Sequence, residues 1–197
     1  MAQLRLLNCI SLNVRGINNP IKRKKVLTFF KKQGTDIAFI QETHLTDIEH
    51  LKLRRDWVGQ VFYSSFLSKA RGVALLINKN LRFRLNYMEK DRAGLFVFIT
   101  QSIKIRVVLV SLYGPNLDDL EFFKDLTLKL AAVEAILGGD YNLVLNPFMD
   151  RSSPKSAAPS RSAVALAQGI GRCVTQPAKT THSILISTTH IQELICF

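Results

Sequence analysis

The sequence predicts an α+β fold: a four-layer α/β sandwich, two packed mixed β-sheets flanked by helices, incomplete at the C-terminus. Three observations predict it. Strand-like runs outnumber helical ones before Asn146-Pro147. Several of these runs are joined by very short polar turns, Asn78-Lys79-Asn80 and Gln101-Ser102, as antiparallel neighbours are. The main helical segments fall between strands, so they can cover the outer faces of sheets that pack face to face.

The elements follow in order. Leu4–Val14 is mostly apolar and ends at Gly16, which reads as a first strand. Asn18-Asn19-Pro20 supplies a cap residue with proline at the first helical position. The helix Pro20–Gln33 gathers Ile21, Val26, Phe29 and Phe30 near one face, and Gly34 stops it. Asp36–Gln41 is a short second strand and His50–Trp57 a brief helix. Gln60–Ser64, Gly72–Ile77, Leu81–Met88, Gly94–Thr100 and Ile103–Leu112 are further strands. The last begins in alternation and becomes continuously apolar, as a strand does when both faces are covered. Leu117–Val133 reads as a second long helix, and Ala135–Leu137 as a strand leading into Gly138-Gly139-Asp140.

Composition bounds the function. At 197 residues the chain has room for one domain of ordinary size. Residues 1–150 read as that domain. Residues 151–197 open on a Ser/Pro/Ala-rich stretch, Arg151–Ser162, and read as a divergent, irregular tail. No uninterrupted apolar run is long enough to span a bilayer, and no secretory or other targeting signal is evident. Cys9, Cys173 and Cys196 are odd in number and widely spaced, which argues against a disulfide scaffold or a thiolate zinc site and for an intracellular setting. The net charge of +12 works against a cationic partner and points to a polyanion, nucleic acid or an anionic membrane surface, since each neutralised phosphate releases counterions; the bland reading is a merely soluble basic surface.

Four strand ends carry polar residues: Ser11–Gly16, Ile40–His44, Ser111–Asn116 and Leu137–Asn142. Singly each has a bland reading. Gln41-Glu42-Thr43-His44 is by itself a solvated strand end, and His44 a surface histidine. Tyr113-Gly114-Pro115-Asn116 is a turn. Gly138-Gly139-Asp140 is a tight bend whose aspartate accepts local backbone hydrogen bonds. Gathered at one edge of the sheets, the same residues form a pocket of carboxylates and amides. Such a pocket suits a hard divalent cation, which takes oxygen ligands and needs only one or two protein carboxylates beside substrate phosphate.

Taken together, Leu12-Asn13-Val14-Arg15-Gly16, Ile40-Gln41-Glu42-Thr43-His44-Leu45, Arg71-Gly72-Val73-Ala74, Leu112-Tyr113-Gly114-Pro115-Asn116 and Gly138–Leu145 resemble the exonuclease–endonuclease–phosphatase superfamily. The nearer likeness is to the endonuclease domain of LINE-1 type retrotransposons, and it runs from about Leu4 to about Pro154. The resemblance implies a hydrolase that cuts phosphodiesters with Mg²⁺ (or Mn²⁺) and an activated water. It assigns catalytic roles to Asn13, Glu42, Tyr113, Asp140 and Asn142, with Asn116 in support. Glu42, Asn13 and Asp140 are the implied metal-binding residues. Asp140 also orients the water, Tyr113 contacts the scissile phosphate, and Asn142 stabilises the transition state. The implied partners are DNA and, in the parent polyprotein, a reverse transcriptase domain; the implied place of work is the nucleus, with no membrane.

This chain departs from that pattern at its end. The family closes on a Ser-Asp-His motif, and no such run occurs here; His182 and His190 lack the preceding aspartate. Residues 187–197 can be read, with ordinary codon choices, in a shifted frame that resembles the family's next segment, so a truncated or frameshifted end is expected. Loss of the family's last strands predicts an unpaired sheet edge. Loss of the histidine predicts weak metal binding and little or no nicking by this chain.

Two alternatives stand beside the endonuclease. One is a non-catalytic basic remnant that binds nucleic acid through phosphates; the other is a phosphomonoesterase of the same superfamily. Arg15 and Arg71, at strand edges, and the Lys22-Arg23-Lys24-Lys25 cluster are candidate phosphate contacts, although the cluster by itself reads as a solvated helix face. Phe62, Tyr63, Phe66, Phe83, Tyr87, Phe96 and Phe98 stand at strand spacing and are expected in the core, as is Trp57 near a helix end.

Overall fold

The computed structural model describes residues 7–67, 69–101, 107–131, 133–143, 159–174 and 184–187. The elements run β1 (Cys9–Asn13), α1 (Pro20–Lys32), β2 (Ile37–Gln41), α2 (Asp47–His50), α3 (Leu53–Asp56), β3 (Gly59–Ser64), β4 (Val73–Asn78), β5 (Leu85–Lys90), β6 (Phe96–Gln101), β7 (Val107–Tyr113), α4 (Leu120–Leu130), β8 (Glu134–Asp140), α5 (Arg161–Val174) and β9 (Ile184–Ser187). They form a four-stranded sheet in the order β1-β2-β4-β3 and a five-stranded sheet in the order β5-β6-β7-β8-β9. Both sheets are mixed. In the first, β1 pairs β2 in parallel and the rest is antiparallel. In the second, β5, β6 and β7 are antiparallel while β7, β8 and β9 are parallel.

Alternation along the strands sorts side chains into three cores. Ile37 and Phe39 of β2, Val73, Leu75 and Ile77 of β4, Leu109 of β7 and Ile136 of β8 meet between the sheets. The intervening Ala38, Ile40, Ala74 and Leu76 face Val26, Leu27 and Phe30 of α1. Val108, Val110, Leu112, Ala135 and Leu137 face the other way, against Phe123, Leu126 and Leu130 of α4 and Leu166 of α5. Period-two strands buried on both faces therefore generate the expected layers, helix–sheet–sheet–helix. The sheets approach closely where Gly138 faces Phe39: a Cβ at position 138 would overlap the phenylalanine ring.

Element ends shift from the sequence reading for identifiable reasons. Asn19 caps α1 as expected, its side chain accepting from the Ile21 and Lys22 amides. Helix α4 starts later than Leu117 because Asp119 is its cap, accepting from the Phe122 amide. The segment expected as one helix over His50–Trp57 is two single turns, and the first begins earlier because Thr46 and Glu49 form a capping box. Gly138 and Gly139 lie within β8 and make no bend there; the strand continues to Asp140. Within the stretch expected to be irregular, Arg161–Val174 is helical and Ile184–Ser187 pairs with β8. The five-stranded sheet thus ends on β9, which pairs Ile136–Gly139 of β8. Phe66 (39% exposed) and Tyr87 (53%) are not core residues. Trp57 is buried, its indole N–H donating to the Ile77 carbonyl at 3.2 Å. Residues 144–158, 175–183 and 188–197, with His182 and His190, lie outside the described residues.

Candidate active site

Two β-α-β units aim their strands at one edge. In each, a parallel pair is joined through a helix: β1–α1–β2 and β7–α4–β8. The pairing register sets Asn13 opposite Gln41 and Tyr113 opposite Asp140, so both pairs end level. The carboxyl ends of such strands are where open α/β sheets expose groups to a ligand.

The residues at those ends touch. Asn13 Nδ2 donates to Glu42 Oε1 at 2.8 Å and to Asp140 Oδ2 at 2.9 Å, which joins the two sheets. The amide orientation follows from its partners. The Arg15 backbone N–H can only donate, and it bonds Asn13 Oδ1 at 3.1 Å, leaving Nδ2 for two acceptor-only carboxylates. Glu42 Oε2 lies 3.5 Å from His44 Nε2. Asp140 Oδ1 accepts from the Asn142 backbone N–H at 3.1 Å. Asn142 Nδ2 donates to the Gly114 carbonyl at 2.7 Å and to Asn116 Oδ1 at 3.0 Å. Tyr113 donates its hydroxyl to the same Asn116 oxygen at 3.1 Å. Burial raises the Tyr113 pKa, and the nearby negative charges of Glu42 and Asp140 raise it further, so the phenol stays a donor.

Backbone strain collects here. The non-glycine residues with left-handed φ among the described residues are Arg15 (45°), Glu42 (52°), His44 (53°), Arg71 (55°) and Asn142 (51°). Each such residue costs roughly 1–2 kcal/mol and persists where its surroundings hold it. Around Glu42 the ties are Gly16 N–H to Glu42 O at 2.7 Å, Ile17 N–H to Thr43 O at 3.0 Å, Thr43 N–H to Gly72 O at 2.9 Å and His44 N–H to Arg71 O at 2.9 Å.

A buried histidine adds a side-chain tie. His50 Nδ1 lies 3.2 Å from the Thr46 carbonyl and 2.8 Å from Ser65 Oγ, and Nε2 lies 3.1 Å from Thr43 Oγ1. A carbonyl only accepts, so Nδ1 carries the proton and Nε2 accepts from the Thr43 hydroxyl. The ring stacks on Tyr63 at 4.4 Å. Burial lowers the His50 pKa to about 4. Sequence reasoning gave His50 no role and Thr43 only a place in the Gln41–His44 strand end; His50 ends the short, mostly polar helix Asp47–His50, so its burial has no local signal in the sequence.

Asn13, Glu42, Tyr113, Asp140, Asn142 and Asn116 are thus brought together, with His44 beside them. Arg15 and Arg71 lie on the rim, and Lys22 joins Arg15 by donating from Nζ to its carbonyl at 3.0 Å. Arg23 is withdrawn from the rim. It is 7% exposed, and its Nη1 donates to the carbonyls of Ile17 and Asn18 at 3.2 and 3.1 Å, so it closes the loop before α1.

Among the described residues no group of three or more His, Cys, Asp or Glu side chains could hold a metal ion. The donor set of Glu42 and Asp140 fits a hard cation that keeps several waters, and does not fit zinc. As placed, Asn13 presents an N–H to the carboxylates, so it positions the two acids.

The sequence profile of the Endonuclease/Exonuclease/phosphatase family matches residues 10–154. Among curated proteins, the chain is 26% identical over 163 residues to the Transposon TX1 uncharacterized 149 kDa protein of Xenopus laevis, covering 79% of this chain and 12% of that protein's length. Among solved structures, an AP endonuclease from Archaeoglobus fulgidus superposes with a TM-score of 0.62 at 18% identity, covering 84% of this chain and 70% of that one. AP endonuclease LMAP from Leishmania major gives 0.65 at 16%, covering 84% and 66%. The endonuclease domain of TRAS1, a telomere-specific non-LTR retrotransposon, gives 0.57 at 13%, covering 82% and 70%.

Proposed function

The chain belongs to the endonuclease/exonuclease/phosphatase family, and from that premise we propose that its site hydrolyses phosphodiester bonds of DNA with Mg²⁺, as the endonuclease domain of a LINE-type retrotransposon. The observation that carries this reading is the Asn13 amide held between Glu42 and Asp140 across the two sheets. Two carboxylates drawn onto one donor at the strand ends make a place for a cation and a phosphate. The similarity to the Xenopus transposon protein, of which the chain covers 12%, supports a transposon origin and a larger parent protein; a reverse transcriptase in that parent and work in the nucleus are part of the proposal.

Glu42 and Asp140 would hold Mg²⁺, or Mn²⁺ in its place, with Asn13 fixing their separation. When bound, the cation polarises a phosphoryl oxygen and offsets charge on the leaving oxygen. The residues then divide the work. Asp140 orients a water and accepts its proton as the water oxygen bonds to phosphorus. Asn142 Nδ2 and the Tyr113 hydroxyl turn from Asn116 to the phosphate oxygens as negative charge builds there. The bond from phosphorus to the 3′ oxygen breaks; the 3′ oxyanion takes a proton from solvent water, Asp140 gives its proton up to solvent, and a 3′-hydroxyl and a 5′-phosphate remain. Arg15, Arg71 and Lys22 on the rim supply phosphate contacts. The 197 residues contain no Ser-Asp-His run. Members of a catalytic unit act non-additively, so turnover by this chain is proposed to be slow.

Nicking of supercoiled plasmid tests the proposal. Slow Mg²⁺-dependent nicking is expected, lost in Glu42→Ala, with ends that a DNA polymerase extends. Nicking that survives EDTA, or that Glu42→Ala retains, overturns the assignment. Turnover that matches an intact domain overturns the expectation of slowness.

A further inference from the structure

The turn between β5 and β6, residues 91–95, is folded around one carboxylate. Asp91 Oδ2 accepts from the Ala93 N–H, Oδ1 accepts from the Phe96 N–H, and the two oxygens share the Leu95 N–H, each contact spanning 3.0 Å. Hydrogen bonds to a charged acceptor are roughly twice as strong as neutral ones, so this carboxylate fixes the path of the turn. The Ser64 hydroxyl lies 2.7 Å from the Asp91 carbonyl and 2.8 Å from Oδ1. Ser64 is fully buried at the end of β3 in the four-stranded sheet, whereas Asp91 lies between two strands of the five-stranded one. A polar link thus joins the sheets in addition to that of Asn13. Two carbonyls of the turn then reach out of it. The Gly94 carbonyl accepts from the Gly72 N–H at 3.1 Å, and the Leu95 carbonyl accepts from the Tyr113 N–H at 2.7 Å. The Gly72 carbonyl in turn accepts from the Thr43 N–H at 2.9 Å, in the turn that carries Glu42. Tyr113 is paired level with Asp140. Adjoining carbonyls of one short turn therefore hold both halves of the site. The fit at Gly94 is tight: its φ is 67°, and a Cβ there would lie 2.9 Å from the Gly72 nitrogen.

We propose that Asp91 is a positioning residue for the reaction at this site. By fixing the Gly94 and Leu95 carbonyls it sets the Glu42 turn and Tyr113 in one frame, the group that would hold the cation against the group that would meet the phosphate. The proposal rests on the hydrolytic reading of the site and adds a residue that sequence reasoning gave no role. The Asp91 carboxylate is occupied by backbone amides and the Ser64 hydroxyl, so it acts through Gly72 and Tyr113 and not on the substrate. Asn13 aligns Glu42 with Asp140 through side chains; Asp91 aligns the Glu42 turn with Tyr113 through the backbone. A displacement of about 1 Å between such groups is enough to slow a reaction about a hundredfold.

Two measurements on the full chain test this, one without turnover. In EDTA, Asp91→Ala should speed amide hydrogen exchange at Gly72 and Tyr113 at least about tenfold more than at Leu75 and Leu109, which lie inside central strands. In plasmid nicking with Mg²⁺, at a temperature where circular dichroism shows both proteins folded, Asp91→Ala should lower kcat roughly 10–100-fold with KM little changed. Asp91→Asn keeps an oxygen for the Leu95 and Phe96 amides and should recover part of the loss; if Asp91→Ala does not fold, Asp91→Asn carries both comparisons with a smaller effect. The Asp91→Ala loss should also shrink in a Tyr113→Phe background, because part of it passes through the phenol. Exchange at Gly72 and Tyr113 that rises only in step with Leu75 and Leu109 makes Asp91 a general stabiliser and overturns the proposal. So does a wild-type kcat in Asp91→Ala, or a loss that is the same with and without the Tyr113 hydroxyl. The two readings fail separately. A wild type without Glu42-dependent nicking removes the hydrolase, while amide exchange still decides whether Asp91 fixes the two turns. Glu42-dependent nicking that Asp91→Ala leaves at full rate keeps the hydrolase and removes the role of Asp91.

Discussion

Replacing Asn13 by alanine removes the donor that holds two carboxylates from different sheets. Its bonds to Glu42 and Asp140 span 2.8 and 2.9 Å. A hydrogen bond to a charged group contributes about 1.5–3 kcal/mol. The site is part-buried with the Glu42 side chain 22% exposed, so the low end applies and the pair together contributes about 3 kcal/mol. For a chain of this size that lowers the melting temperature by roughly 6–12 °C. Asn13→Asp should cost more in EDTA, because it adds a third carboxylate where two already face each other. Mg²⁺ should recover more of that loss than it adds to the wild type, by linkage. Differential scanning calorimetry of Asn13→Ala, Asp140→Ala and the double variant completes the cycle. A coupling of about 1–2 kcal/mol is expected for groups in contact. Additive losses, or an Asn13→Ala melting curve that overlays the wild type, would refute the bridge.

Three further outcomes follow from the same geometry. Gly138→Ala should destabilise by about 1–3 kcal/mol or more, because the new methyl overlaps the Phe39 ring between the sheets; chemical denaturation measures it, and a neutral effect contradicts the close approach. His50 is about 6.5 unfolded and about 4 folded, so the native state resists its protonation. Its contribution is therefore fully present above pH 6.5 and is lost as pH falls toward 4, by up to about 3 kcal/mol; His50→Phe should flatten the stability–pH curve over that window, and an unchanged curve would remove His50 from the account. Arg23→Ala should lower stability by about 1–3 kcal/mol and leave the salt slope of DNA binding untouched, whereas Lys22→Ala should lower that slope by about one; a slope change in Arg23→Ala would return that arginine to the rim.

Much of the site was legible because its residues occupy strand ends. Asn13, Glu42, Tyr113 and Asp140 each follow an apolar run, and a strand end is visible in one dimension. Their convergence was not visible there: Asn13 and Asp140 are 127 positions apart. The motif pattern pointed to it through resemblance, and the level register of the two parallel pairs realises it. What sequence missed had tertiary causes. Arg23 sits in a run of lysines and arginines, and only the folded loop shows the carbonyls that claim its guanidinium. Phe66 has strand spacing, but the hairpin closed by the Leu67–Ala70 bridge turns it away from the core. Gly138-Gly139 reads as a bend until Phe39 from the other sheet is placed against it.

Mn²⁺ binding followed by electron paramagnetic resonance tests the central claim most directly, because it needs no turnover. The account predicts one Mn²⁺ per chain, displaced by Mg²⁺, with affinity falling at least about tenfold, some 1.4 kcal/mol, in both Glu42→Gln and Asp140→Asn. Wild-type Mn²⁺ affinity in both variants would place the cation elsewhere and contradict the account.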